Sequence, residues 1–113
     1  MEYSPLRRLV RKLTKENLWL YILALLRESP LYGYEIKELI ERKFGFSPGM
    51  VTCYIVLYKL ESEGLIESMP KKESAIGPPR KYYRITKDGI RALDGALEFL
   101  ERTLTLISKG GKA

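Results

Sequence analysis

The sequence predicts a mainly α fold with one small two-stranded β-hairpin, and three observations carry that prediction. Apolar residues recur three and four positions apart from Leu6 to Leu60, the period of helices packed on one face. After Gly64 the pattern changes to two short runs, residues 65–69 and 81–85, that read as strands. From Thr86 the helical period returns and holds to about Ser108. At 113 residues, 45% hydrophobic and 30% charged, the chain suits one globular domain with an appended helix.

The first element spans residues 6–15, with apolar Leu6, Leu9, Val10 and Leu13 forming a helical stripe. The same stretch holds Arg7, Arg8, Arg11, Lys12 and Lys15 and no acid. It is either a basic arm for phosphates or a short amphipathic helix packed on a neighbour, and both roles are compatible. A second helix is expected over residues 14–27, with Thr14 as N-cap and Glu16 in the first turn. Leu18, Trp19, Ile22, Leu23, Leu25 and Leu26 leave it almost no polar face, so it belongs at the centre. Ser29-Pro30 stops it, because proline disfavours helical geometry in the residue before it.

Tyr32-Gly33-Tyr34 opens a third helix, with Ile36, Leu39, Ile40 and Phe44 on its inner face and Gly45 at its end. Ser47-Pro48 then restarts the chain as a fourth helix, serine as cap and proline in the first turn. That helix runs to about Glu63 and is closed by Gly64. Between the two strands, residues 70–80 are rich in Lys, Gly and Pro and read as an exposed hairpin loop. Thr86 caps the last helix, and residues 109–113 form a polar tail. The chain thus divides into a basic N-terminal arm (1–16), a central domain (17–86), a C-terminal helix (87–108) and the tail.

Composition excludes much. There is no histidine, hence no Ser-His or Cys-His catalytic pair, and Cys53 alone builds neither a zinc site nor an intrachain disulfide. The carboxylates are scattered on charged faces, so neither an enzyme nor a cofactor is expected. The longest apolar run is too short to span a bilayer and no signal-peptide core follows the N-terminus, which points to a cytoplasmic location without membrane attachment. The remaining class is a basic binding domain: 20 Lys or Arg against 14 Asp or Glu give a net charge of +6.

The order helix, tight turn, helix, basic hairpin is that of a winged helix-turn-helix, which sets its second helix in the major groove of double-stranded DNA and its wing along the backbone. Periodicity assigns Cys53, Leu57 and Leu60, with Val56 beside them, to the core. Ser47, Met50, Thr52, Tyr54, Ile55 and Lys59 are left as DNA-facing candidates on and before the recognition helix, and Lys71, Lys72, Arg80 and Lys81 on the wing. That helix lacks Arg, Asn and Gln, so it cannot read guanine or adenine by strong bidentate bonds. Methyl contacts and DNA shape are expected to matter more. The same lack supports an alternative, a small-molecule-sensing or protein-interaction dimer that keeps the fold without specific DNA binding. In the last helix Ile90, Leu93, Leu97, Leu100, Leu104 and Ile107 follow a heptad seam, which points to a homodimer, although packing on the N-terminal helix of the same chain would also cover it. A two-fold dimer matches a palindromic site.

These residues also carry a resemblance. Leu31-Tyr32-Gly33-Tyr34-Glu35-Ile36 is similar to the opening motif of the PadR family of transcriptional regulators. Thr52-Cys53-Tyr54, Leu57-Tyr58-Lys59-Leu60-Glu61 and Glu63-Gly64-Leu65-Ile66 resemble that family's recognition helix. Gly77-Pro78-Pro79-Arg80-Lys81-Tyr82-Tyr83-Arg84-Ile85-Thr86, then Gly89, resembles its wing. The resemblance implies a dimeric winged-helix repressor on a palindromic operator, released by a small ligand or stress signal, with the C-terminal helix mediating dimerisation. The chain departs from the family pattern at Tyr32, Val51, Ile55 and Pro78. At the last of these the wing lacks its first arginine, which leaves the charge to Lys71, Lys72 and Arg80.

Overall fold

Five α-helices and a three-stranded antiparallel sheet make up the described part of the computed structural model, residues 4–69 and 80–109. Pro5–Lys12 forms α1, started by Ser4, whose Oγ accepts from the Arg7 N–H at 3.2 Å. None of α1 is buried. The expected cap at Thr14 faces the other way: its hydroxyl donates to the Val10 carbonyl at 2.7 Å and closes α1 instead of opening the next helix. A 3₁₀ turn, Lys15–Asn17, follows, and α2 begins only at Leu18 and runs to Glu28.

Helix α2 is the centre of the molecule because it is apolar almost all round. Leu18, Ile22, Leu23, Leu25 and Leu26 are all buried, and α3, α4, α5 and β3 pack against the helix. Each such side chain removed from water contributes about 1.5–3 kcal/mol. After Pro30, Leu31–Tyr32 forms a strand, β1, that the sequence reading missed. Two residues are too few to show alternation, and the helical spacing that follows masks them. This strand pairs with the wing (Leu31 opposite Tyr83, Tyr32 opposite Tyr82), so the expected hairpin is a three-stranded sheet.

Helix α3 spans Gly33–Phe44 and ends on Gly45, whose φ of +78° is the left-handed conformation glycine takes without strain. Helix α4 is Met50–Ser62. It starts two residues later than Pro48, and its N-cap is Gly49 rather than Ser47, whose hydroxyl proton is already engaged by Glu41. Gly64 (φ +76°) ends α4, with Leu65 N–H donating to the Leu60 carbonyl and Gly64 N–H to that of Glu61. That pair of bonds is a Schellman turn, and it aims the chain straight into the wing.

Strands β2 (Ile66–Ser68) and β3 (Tyr82–Ile85) pair with Ile66 opposite Ile85 and Glu67 opposite Arg84. Most of the expected loop between them, including Lys71 and Lys72, lies outside the described residues, as does the tail after Lys109. Helix α5 spans Lys87–Ser108, with Thr86 accepting from the Gly89 N–H at 3.1 Å. Its first turns lie on the domain: a Cβ at Gly89 would come within 2.1 Å of the Leu65 carbonyl oxygen, and Leu93 is fully buried. Leu93 therefore belongs to the core of its own chain and leaves the proposed dimer seam. Beyond it α5 projects outward, giving extents of 57 × 37 × 22 Å.

Candidate nucleic-acid interface

The helix-turn-helix is built from α3 and α4, and its inner face is dry. Cys53, Leu57 and Leu60 of α4 are at most 4% exposed, and burial pushes the Cys53 thiol up, so it stays a protonated, apolar-like side chain at neutral pH. The connecting turn is tied at two points. Phe46 packs edge-on against Tyr21 at 5.0 Å, beside Phe44 at 4.9 Å, and the Tyr21 hydroxyl donates to the Leu13 carbonyl. On the other side Ser47 Oγ donates to Glu41 Oε2 at 2.5 Å, and the same oxygen accepts from Lys37 Nζ at 2.6 Å. The ammonium and the hydroxyl together hold the Glu41 carboxyl below the usual carboxylate range, and Lys37 is raised by the same bond.

The outer face of α4 carries an apolar and aromatic stripe with no core to fill. Val51 is 73% exposed, Tyr54 49%, Ile55 51% and Tyr58 72%. Thr52 and Lys59 flank it and are exposed. Of the expected set, Thr52, Tyr54, Ile55 and Lys59 share this face. Met50 does not: it is half-buried against the core, because it stands in the first turn where α4 leans on its neighbours. Val51 and Tyr58 were not among the expected residues. Their signal was present, since 51, 55 and 58 continue a three- and four-residue spacing opposite Cys53, Leu57 and Leu60.

The wing sets two of its cations against aromatic rings. The Arg80 guanidinium carbon lies 4.7 Å from the centre of the Tyr32 ring, and Tyr32 meets Tyr82 edge-on at 5.4 Å. Among the described residues Arg80 is therefore seated on an aromatic ring rather than on a carboxylate. Lys81 reaches Glu61 of α4 at 3.6 Å and lies 5.3 Å from the Tyr83 ring, while Arg84 pairs with Glu67 at 3.3 Å. Lys71 and Lys72 lie outside the described residues. In the N-terminal arm, Arg11 and Lys12 both bind Glu16, at 3.1 and 2.7 Å, and lower its carboxyl pKa.

Two further surfaces bear on function. Helix α1 and its C-terminal cap expose Leu6 (70%), Leu9 (53%), Val10 (54%) and Leu13 (40%), and α5 exposes Ile90, Leu97, Phe99, Leu104, Leu106 and Ile107, with Leu100 half-buried. A cleft of about 360 Å³ opens between Trp19 of α2, Val56 and Lys59 of α4 and Ala92 of α5. The Trp19 indole is fixed there by donating to Asn17 Oδ1 at 3.1 Å. No helix among the described residues is long and apolar enough to cross a membrane.

Comparison with known proteins bears on this architecture. The sequence profile of the transcriptional regulator PadR-like family matches residues 22–95. Among solved structures, a transcriptional regulator from Clostridium thermocellum is 35% identical, with a TM-score of 0.72, covering 84% of this chain and 93% of its own. A PadR family transcriptional regulator from Eggerthella lenta is 30% identical with a TM-score of 0.78, covering 92% and 89%. Bacillus subtilis PadR, solved in complex with operator DNA, is 27% identical with a TM-score of 0.66, covering 80% of this chain and 59% of its own. No functionally curated protein shows significant similarity to the chain.

Proposed function

The chain belongs to the PadR-like family of transcriptional regulators, and on that premise we propose that it is a homodimeric repressor of a palindromic operator. One observation carries the reading: the uncovered stripe of Val51, Tyr54, Ile55 and Tyr58 on a helix whose other face is core. In a chain of net charge +6, a face of that chemistry suits the major groove, where apolar side chains meet thymine methyls. Thr52 and Tyr54 supply hydroxyls for phosphate or base edges, and Lys59 supplies the helix's one cation. Ser47 is left out of these contacts, because its proton goes to Glu41 and that carboxylate repels phosphate.

On the wing, Arg80 and Lys81 grip the backbone, and Lys71 and Lys72 add their charge to that grip. Lys81 exchanges Glu61 for phosphate, whereas Arg80 is already held at the rim by Tyr32. Residues 17–86 form the DNA-binding unit, and residues 87–108 the dimerisation helix, through Ile90, Leu97, Leu100, Leu104 and Ile107. The arm of residues 1–16 lays its apolar stripe on the partner's α5. The charges suit this docking: the arm is basic, and that surface of α5 carries Asp94, Glu98 and Glu101 beside Leu97 and Leu106. The cleft at Trp19 gives a small-molecule effector access to Lys59 and hence to DNA binding. A cytoplasmic location follows from the operator target.

A competition titration across a salt series tests this reading. The DNA upstream of the chain's own gene should bind at least 10³-fold tighter than random duplex, as specific sites generally do, roughly. Equal affinities with a steep salt slope would leave only the basic surface and overturn the reading in favour of a sensing or protein-binding dimer.

A further inference from the structure

We propose that Gly33, the first residue of α3, is a positioning residue for DNA recognition. It holds no contact of its own with DNA; it seats the Tyr54 ring of α4 in its groove-facing orientation. The inference rests on the function proposed above, because it gives Tyr54 a DNA-facing role. Two explanations for a glycine at position 33 fall away first. Its backbone does not demand one, since among the described residues only Gly45 and Gly64 have positive φ. Nor does a helix favour one, because glycine weakens a helix relative to alanine.

The reason is lateral. A Cβ on Gly33 would lie 2.6 Å from Tyr54 Cε1 and 2.8 Å from both Cζ and the hydroxyl oxygen. The phenol end of Tyr54 thus rests directly on the Gly33 α-carbon, while the residue as a whole stays 49% exposed. The bare backbone is the floor that fixes the ring's height above α3. A methyl group there would lift the ring. Because the obstructed atoms are the far end of one side chain, the fold survives and only Tyr54 moves. The adjacent residue, Tyr32, seats Arg80 in the same manner. Consecutive residues of one short segment therefore set a group from the recognition helix and a group from the wing.

A double-mutant cycle with Gly33→Ala and Tyr54→Ala tests the proposal, read by operator affinity and by thermal midpoint. Gly33→Ala in the otherwise native chain should keep a cooperative unfolding transition and lose about three- to tenfold in operator affinity. In the Tyr54→Ala background the same substitution should cost no affinity. Equal losses in both backgrounds, or no loss in the native background, would overturn the positioning role. A coupling seen only in thermal midpoint would also overturn it and leave Gly33 as packing alone. A native chain without operator preference would instead fail at the first measurement, taking the functional reading with it.

Discussion

Cys53 and Ile55 stand two positions apart on α4, and their surroundings are opposite. Cys53 is sealed against α3, while Ile55 is 51% exposed with no core partner to justify it. The same split separates Leu57 from Tyr58. Leu57→Ala should cost about 2–5 kcal/mol of stability, because it empties a fully packed site. Ile55→Ala should stay within about 0.5 kcal/mol by urea unfolding, yet weaken operator binding measurably. Equal destabilisation by the two would show that the outer stripe is structural. Glu41 gives a second prediction at this scale. Its folded pKa is lowered, so its bonds to Lys37 and Ser47 contribute above the ordinary value of 4.5 and are lost as pH falls through the folded value. Glu41→Gln should therefore flatten the fall of thermal midpoint on acidification from about pH 5 to about pH 3. A profile parallel to that of the native chain would show that the contact contributes nothing.

At the scale of elements, α5 changes character along its length. Its first turns are clamped to the Gly64–Leu65 turn and to α2, where Leu93 is fully buried; past Leu97 the apolar face is open. Leu93→Ala should lower monomer stability by about 2–5 kcal/mol, whereas Leu97→Glu should leave the fold intact and halve the mass seen by light scattering. An unchanged mass for Leu97→Glu would refute the seam. The sequence shows the heptad but not where it leaves the domain, since core stripe and seam share one spacing. For the same reason Leu93 reads as a seam residue and Met50 as an outward one: periodicity orders side chains around a helix but does not say which turn leans on a neighbour. The inner face of α4 was legible because Cys53, Leu57 and Leu60 keep helical spacing through the whole packed length. Strand β1 was not, since a two-residue strand has no period. The seating of Tyr54 on Gly33 and of Arg80 on Tyr32 joins residues far apart in the chain, and no local pattern encodes it.

Across the whole molecule, charge and chemistry are divided by place. Twelve of the 20 basic residues fall within 6–15 and 71–91, while α4 carries only Lys59. The flanks are thus suited to phosphate, and the recognition helix to methyl groups and groove shape. Arg80→Ala should accordingly weaken binding to operator and random duplex by similar factors and reduce the salt slope by about one, as expected for one lost phosphate contact. A loss confined to the operator would place Arg80 on a base instead. On the function proposed above, dimerisation through the open half of α5 would place two such recognition helices on one face of the duplex. Hydroxyl-radical footprinting of the DNA upstream of the gene tests that arrangement most directly. Two protected patches related by a dyad, with centres about 34–36 Å apart, are the expected result. A single patch without symmetry, or uniform protection along the duplex, would contradict it.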